Sequence, residues 1–181
     1  MLIRASNTTS RATLTPNDRQ LSRESDVMAK RPNNEALIPN PALKAFGVLV
    51  GEWSTVGTHP LVPGTTFHGY TSFQWIEGGA FLVMHSEIQE PGIPSGVAIF
   101  GSDDSLGEFF MLYFDERGVS RKYGVSLSNN TWKWWRDFPG FSQRFTGTIA
   151  DDGRTIVGKG ELSKDGATWE GDLAPTYTRM H

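Results

Sequence analysis

RKYGVSLSNNTWKWWRDFPGFSQRFTGTIADDGRTIVGKGELS, residues 121–163, decides the fold. It divides into four short alternating runs at Asn129-Asn130, Pro139-Gly140 and Asp152-Gly153. Two-residue links of the Asn-Asn or Asp-Gly sort suit the mirror-image turns that join antiparallel strands, and such turns fix register. With Asn129-Asn130 as the link, Leu127 faces Trp132, Val125 faces Trp134 and Tyr123 faces Arg136. With Asp152-Gly153, Ile149 faces Ile156, Gly147 faces Gly158 and Phe145 faces Gly160. Asp165-Gly166, just beyond, sets Leu162 against Trp169 and Gly160 against Gly171 in the same way. Successive strand residues point to opposite faces, so a register chooses which residues are buried. Each of these gathers the large apolar residues on one face, and the two that share run 155–163 choose the same face.

The pattern extends in both directions. Runs near 52–59, 66–76, 80–89, 96–101, 108–115, 119–128, 131–137, 141–150, 155–163 and 168–179 are apolar or alternating, with turn residues between them. The runs on either side of Gly78-Gly79 and of Glu116-Arg117-Gly118 are apolar on both faces, which leaves their orientation open. Asp103, Asp104, Asp151 and Asp152 fall in turns, where aspartate bonds its own backbone. The crossover helices of a parallel sheet are missing from this pattern. An open sheet of ten hairpin-linked strands would expose two edges, and closure removes them. The expected fold is all-β: a ten-stranded antiparallel up-and-down barrel with one short N-terminal helix. That helix is expected in residues 42–51, where Leu43, Phe46, Val48 and Leu49 cluster, with Pro41 at its start and Gly51 at its stop.

Composition sets the boundary of the folded part. All six Trp, eleven Phe and four Tyr lie at or after Phe46. Segment 1–35 is rich in Ser, Thr, Asn and Arg, buries too little to offset its ordering entropy, and reads as a disordered polar tail. It contains no apolar stretch suited to a signal peptide or membrane span. Residues 36–181 form the barrel domain. The tail carries six Lys/Arg against four Asp/Glu (+2), and the remainder eleven against sixteen (−5), which together give the net −3. An acidic folded part lacks the basic stripe that nucleic acid demands. The sequence has no cysteine, which excludes disulfides, thiolate metal sites and thiol catalysis together. A cytoplasmic location is the expectation, with a homodimer left open.

Gly51-Glu52-Trp53 follows the short helix directly, and Tyr177-Thr178-Arg179 closes the last run. Together they resemble the lipocalin-like (calycin) signature. The resemblance implies that Trp53 plugs one barrel end and Arg179 packs across it. Within residues 51–60, Gly51, Trp53, Gly57 and Pro60 are similar to the first strand of nitrobindin-type haem barrels, G-x-W-x-G-x-G-x-Y-P, whereas Thr55 and His59 depart from it. That likeness implies a haem-ligating histidine in the C-terminal strands. Residues 155–179 contain none, and His181 lies beyond them. GGAFLV at 78–83 and the closing TYTR also resemble a bacterial calycin family of unassigned function. The resemblance spans roughly residues 42–180.

Several residues could carry chemistry. The glycine pairs Gly147/Gly158 and Gly160/Gly171 would leave one inward wall bare, with room for a flat ligand facing Trp132, Trp134 and Tyr123. The same glycines also suit the coiling of a closed barrel. Arg121, Tyr123 and Arg136 should share the inward face. A buried guanidinium needs a partner, and here it would be a carboxylate-bearing or phenolic ligand, or an acid such as Asp115. His59 shares the face of Trp53, Thr55 and Gly57. His85 alternates with Glu87, an arrangement capable of acid–base work or metal ligation. No phosphate loop, GxSxG, HExxH or dinucleotide fingerprint occurs. The expected function is non-enzymatic binding of a small hydrophobic or aromatic ligand in the cavity through His59, His85, Arg121, Tyr123, Trp134, Arg136 and Gly158. Trp53 and Arg179 are structural, and no catalytic residue, metal or cofactor is assigned. Two alternatives remain: an enzyme with His59 or His85 as base and Arg136 as oxyanion partner, and a haem-binding barrel of the nitrobindin kind.

Overall fold

The computed structural model describes residues 39–103 and 105–181. The tail expected over 1–35, and Asp104, lie outside them. A 3-10 helix, Pro41–Leu49, leads into strands β1 (Gly51–Thr58), β2 (Thr66–Ile76), β3 (Phe81–Ile88), β4 (Gly96–Asp103), β5 (Glu108–Asp115) and β6 (Ser120–Ser128). Strands β7 (Thr131–Arg136), β8 (Ser142–Ile149), β9 (Thr155–Ser163), β10 (Glu170–Gly171) and β11 (Ala174–Arg179) follow. Consecutive antiparallel pairing runs from β1 to β9, and β11 then joins β9 to β1. Ten strands thus close an antiparallel barrel, with two-residue β10 as a side strand on β9. No helix among the described residues is long and apolar enough to cross a membrane.

The expected short helix is present, but as a 3-10 turn. Leu43, Phe46 and Leu49 are its buried residues. Their spacing of three matches the three residues per turn of a 3-10 helix, which stacks them on one side. Asn40 caps it by accepting the Ala42 amide at 3.0 Å. The buried side closes one barrel end, where Phe46 meets Phe100 at 5.9 Å and Phe109 at 5.4 Å between ring centroids.

Two of the three expected registers hold, although the ladder ends at Gly124–Trp135 and does not reach the expected Tyr123–Arg136 pair. Leu127 pairs with Trp132 and Val125 with Trp134, while Ile149, Gly147 and Phe145 pair with Ile156, Gly158 and Gly160. Asn129 and Asn130 adopt φ of 49° and 56°, the left-handed pair that a mirror-image turn requires. The third register differs by one residue, since Leu162 pairs with Glu170 and Glu161 with Gly171. The cause lies in Asp165. Its Oδ1 accepts the amides of Ala167 and Thr168 at 2.8 and 2.7 Å and the Ser163 hydroxyl at 3.0 Å. That side-chain turn takes up more chain than a two-residue link, and a slip of one residue reverses every face. Trp169 accordingly lies under the outward Arg144, whose guanidinium carbon is 4.0 Å from the ring centroid. Gly171 is exposed.

Trp53 is fully buried, and its Nε1–H donates to the Leu49 carbonyl at 2.8 Å. The Arg179 guanidinium carbon sits 4.1 Å from the Trp53 ring centroid. Arg179 also donates to the carbonyls of Val50, Val48 and Gly153 at 2.6, 2.7 and 3.1 Å. The barrel-end plug expected from Gly51-Glu52-Trp53 and Arg179 is therefore present.

Candidate functional site

Inward residues fill the barrel unevenly. Near the plug, Phe73, Leu82, Ala98, Phe100, Val125, Ile149 and Ile156 pack as one cluster with the helix. Toward the other end the filling stops, and a cavity of about 170 Å³ opens. Its floor and walls include Trp132 and Trp134 of β7, Met84 of β3, Met111 of β5 and Tyr177 of β11. Ile88 and Ile93 continue the apolar lining toward the mouth. This settles the strands whose faces the sequence leaves open. On β3, Leu82 and Met84 face inward whereas His85 and Glu87 are exposed outside.

The glycine wall is not bare. A Cβ on Gly158 would lie 2.7 Å from the Phe145 ring and 2.8 Å from Pro175 Cγ. Phe145 takes the space the glycines leave, stacks on Trp134 at 5.1 Å between centroids, and meets Trp132 edge-on at 5.2 Å. Gly158 therefore admits a core ring and does not line the cavity, and Gly160 admits the backbone of Leu173. Room for a ligand lies beyond this aromatic layer.

Polar residues ring the mouth. The Tyr123 hydroxyl donates to Gln143 Oε1 at 2.6 Å, and Arg121 Nη1 donates to the same oxygen at 3.5 Å. Gln143 Nε2 donates to Asp172 Oδ2 at 3.0 Å. Asp172 Oδ1 lies 3.4 Å from His59 Nε2. Burial raises the Tyr123 hydroxyl above its usual range, with Arg121 opposing. Asp115 is taken by Arg117 at 2.7 Å, whose hydrogen bonds hold its carboxyl below the ordinary carboxylate value. Arg121 instead rests 4.2 Å from the Phe141 ring centroid and forms no ion pair among the described residues.

Three of the nine expected site residues line the cavity as polar groups (His59, Arg121 and Tyr123), and Trp134 lines it as an aromatic. His85 faces a groove on the outer surface beside Glu52 and Glu87. Arg136 donates to the Phe141 carbonyl at 3.2 Å and lies over Phe138 at 4.3 Å, away from the cavity lining. Gln143 and Asp172 are the additions, and Trp132, expected to face the ligand space, lines the cavity. Gln143 and Asp172 are ordinary surface-type residues in the sequence, and only the slipped register of the last hairpin carries Asp172 to the mouth.

Trp132 is 1% exposed, and its indole Nε1–H has no hydrogen-bond partner among the described residues. An unpaired buried donor costs about 1–3 kcal/mol. The Tyr177 hydroxyl also makes no hydrogen bond among the described residues, and burial raises it above the usual range. The cavity thus has an apolar floor and a polar mouth, and two of its lining residues, Trp132 and Tyr177, carry side-chain donors without partners among the described residues.

No family model matches this chain, and no curated protein matches it. Its structure is similar to the crystal structure of Rv2717c from M. tuberculosis, with a TM-score of 0.56. The two share 14% identity over 78% of this chain and 98% of that one. The likeness shows the fold alone. A closed ten-stranded barrel agrees with the calycin-like architecture expected from the sequence.

Haem as implied by the nitrobindin resemblance does not fit these residues. His59 is the histidine among the residues lining the cavity. The Leu61 amide donates to its Nδ1 at 3.0 Å, which assigns the ring proton to Nε2. A neutral imidazole binds metal through its unprotonated nitrogen, and that nitrogen is already taken. Burial lowers the His59 pKa, against the opposing Asp172 charge and with a smaller contribution from Arg117, in keeping with a neutral ring. The same bond leaves His59 no free lone pair for work as a base.

Proposed function

We propose that this protein binds, without transforming it, a small hydrophobic or aromatic molecule of about one ring in the barrel cavity. The observation that carries this reading is a cavity of about 170 Å³ whose inner wall is made by Trp132, Trp134, Met84, Met111 and Tyr177. An engineered apolar cavity of roughly 150 Å³ holds benzene.

Benzyl alcohol supplies a single aromatic ring on a water-soluble molecule. Titrated into the full chain, it is expected to change tryptophan emission saturably, because Trp132 and Trp134 border the cavity. Ser86 lines the same space and is half-buried. Ser86→Leu places a branched apolar group there and should abolish the saturable change while the melting temperature holds. A folded Ser86→Leu protein that binds benzyl alcohol as the wild type does would overturn the reading, as would a wild type that does not bind it.

A further inference from the structure

The charged groups around the mouth are unequally satisfied. Arg117 and Asp115 pair with each other at 2.7 Å. Asp172 holds the Gln143 amide at 3.0 Å and has His59 Nε2 at 3.4 Å. Gln143 stands between Asp172 and Arg121, turning its oxygen to one and its nitrogen to the other. Among the described residues Arg121 has no anionic partner: it donates to the neutral Gln143 oxygen at 3.5 Å and acts on the neighbouring Tyr123 hydroxyl. A guanidinium has five N–H donors in a fork that matches a carboxylate. Two lining residues, Trp132 and Tyr177, carry an N–H and a hydroxyl without partners among the described residues. A pocket with surplus donors and one uncommitted cation selects a ligand rich in acceptors.

Building on the single-ring reading above, we infer that the ligand is a monocyclic aromatic carboxylate, whose ring occupies the cavity and whose carboxylate pairs with Arg121. Among the described residues, the one carboxylate at this end of the mouth, Asp172, is turned to Gln143 and His59. Tyr113, which pairs with Arg121 across β5 and β6, already donates its hydroxyl to Asp115 at 3.3 Å. It presents no competing anion. Phe141 packs on the guanidinium and holds it against the barrel.

Isothermal titration of the full chain with benzoate, benzamide and benzylammonium separates the alternatives. Benzoate and benzamide keep the ring and its planar substituent and differ in charge, and benzylammonium reverses the charge on a tetrahedral substituent. Hydrogen bonds to a charged group are worth enough to favour benzoate over benzamide by at least about tenfold. Arg121→Met should bring that ratio to about one, and Arg121→Lys, a point charge without the fork, should restore part of it. Arg144→Gln removes a cation from the outer face and should leave the ratio as in the wild type. Equal affinity for benzoate and benzamide overturns the inference, as does tighter binding of benzylammonium or a ratio that survives Arg121→Met. If Arg121→Met does not fold, the wild-type series and Arg121→Lys still decide. Failure of all three ligands to bind would bring down the single-ring reading itself, whereas equal binding of benzoate and benzamide removes only the carboxylate.

Discussion

Gly51 shows how a missing side chain can position a present one. Its φ is 132°, and a Cβ there would lie 2.5 Å from Arg179 Nη1. The guanidinium uses that space to reach the Val50 and Val48 carbonyls while covering Trp53. The G-x-W spacing is thereby explained physically, since the glycine admits the arginine and the tryptophan receives it. Trp53→Ala should cost about 3–5 kcal/mol as a large core truncation. Arg179→Ala loses three carbonyl contacts and a cation–π contact of about 0.5–2 kcal/mol. Urea unfolding of both single variants and the double variant should show coupling of about 0.5–3 kcal/mol, as for residues in contact. Additive losses would mean that plug and clasp act independently. This pair was legible in the sequence because each residue sits in a motif. The unpaired Trp132 Nε1–H was not, because an absent partner leaves no trace in a residue pattern.

Hairpins were readable where the turn is made by backbone and misread where it is made by a side chain. Asn129-Asn130 and Asp152-Gly153 set registers that hold across β6–β7 and β8–β9. Asp165 instead gathers two amides and a hydroxyl on one oxygen, and the slip moves Trp169 and Gly171 outside. The inward face of β8 and β9 was correctly placed, but its glycines were read as empty space. A pattern of facing residues cannot say how far a ring such as Phe145 reaches along the strand. Gly158→Val puts carbon into Phe145 and Pro175, so overpacking should destabilise the protein by about 1–3 kcal/mol. Thermal unfolding checks this. A Gly158→Val protein of wild-type stability would show that the ring can yield and that the wall is open after all.

As a whole, the barrel is a half-filled container. The 3-10 helix, Trp53 and the phenylalanine layer fill one half, and in the other Met84, Met111, Tyr123, Trp134 and Tyr177 surround a space of about 170 Å³. Closure was legible from strand number and edge exposure, and the floor of the cavity from Trp132 and Trp134. Its mouth was not, since Gln143 and Asp172 meet there only through pairings distant in sequence. Three methionines lie among the described residues, and they report the two halves separately. Met84 and Met111 line the cavity, whereas Met180 borders the groove outside the opposite end. The most direct measurement is a carbon–proton spectrum of protein carrying labelled methionine methyl groups, titrated with benzoate. An aromatic ring inside the barrel should shift the Met84 and Met111 methyl signals together along one saturation curve and leave Met180 in place. Unmoved Met84 and Met111 signals, or a shift confined to Met180, would contradict the account and put any binding on the outside of the barrel.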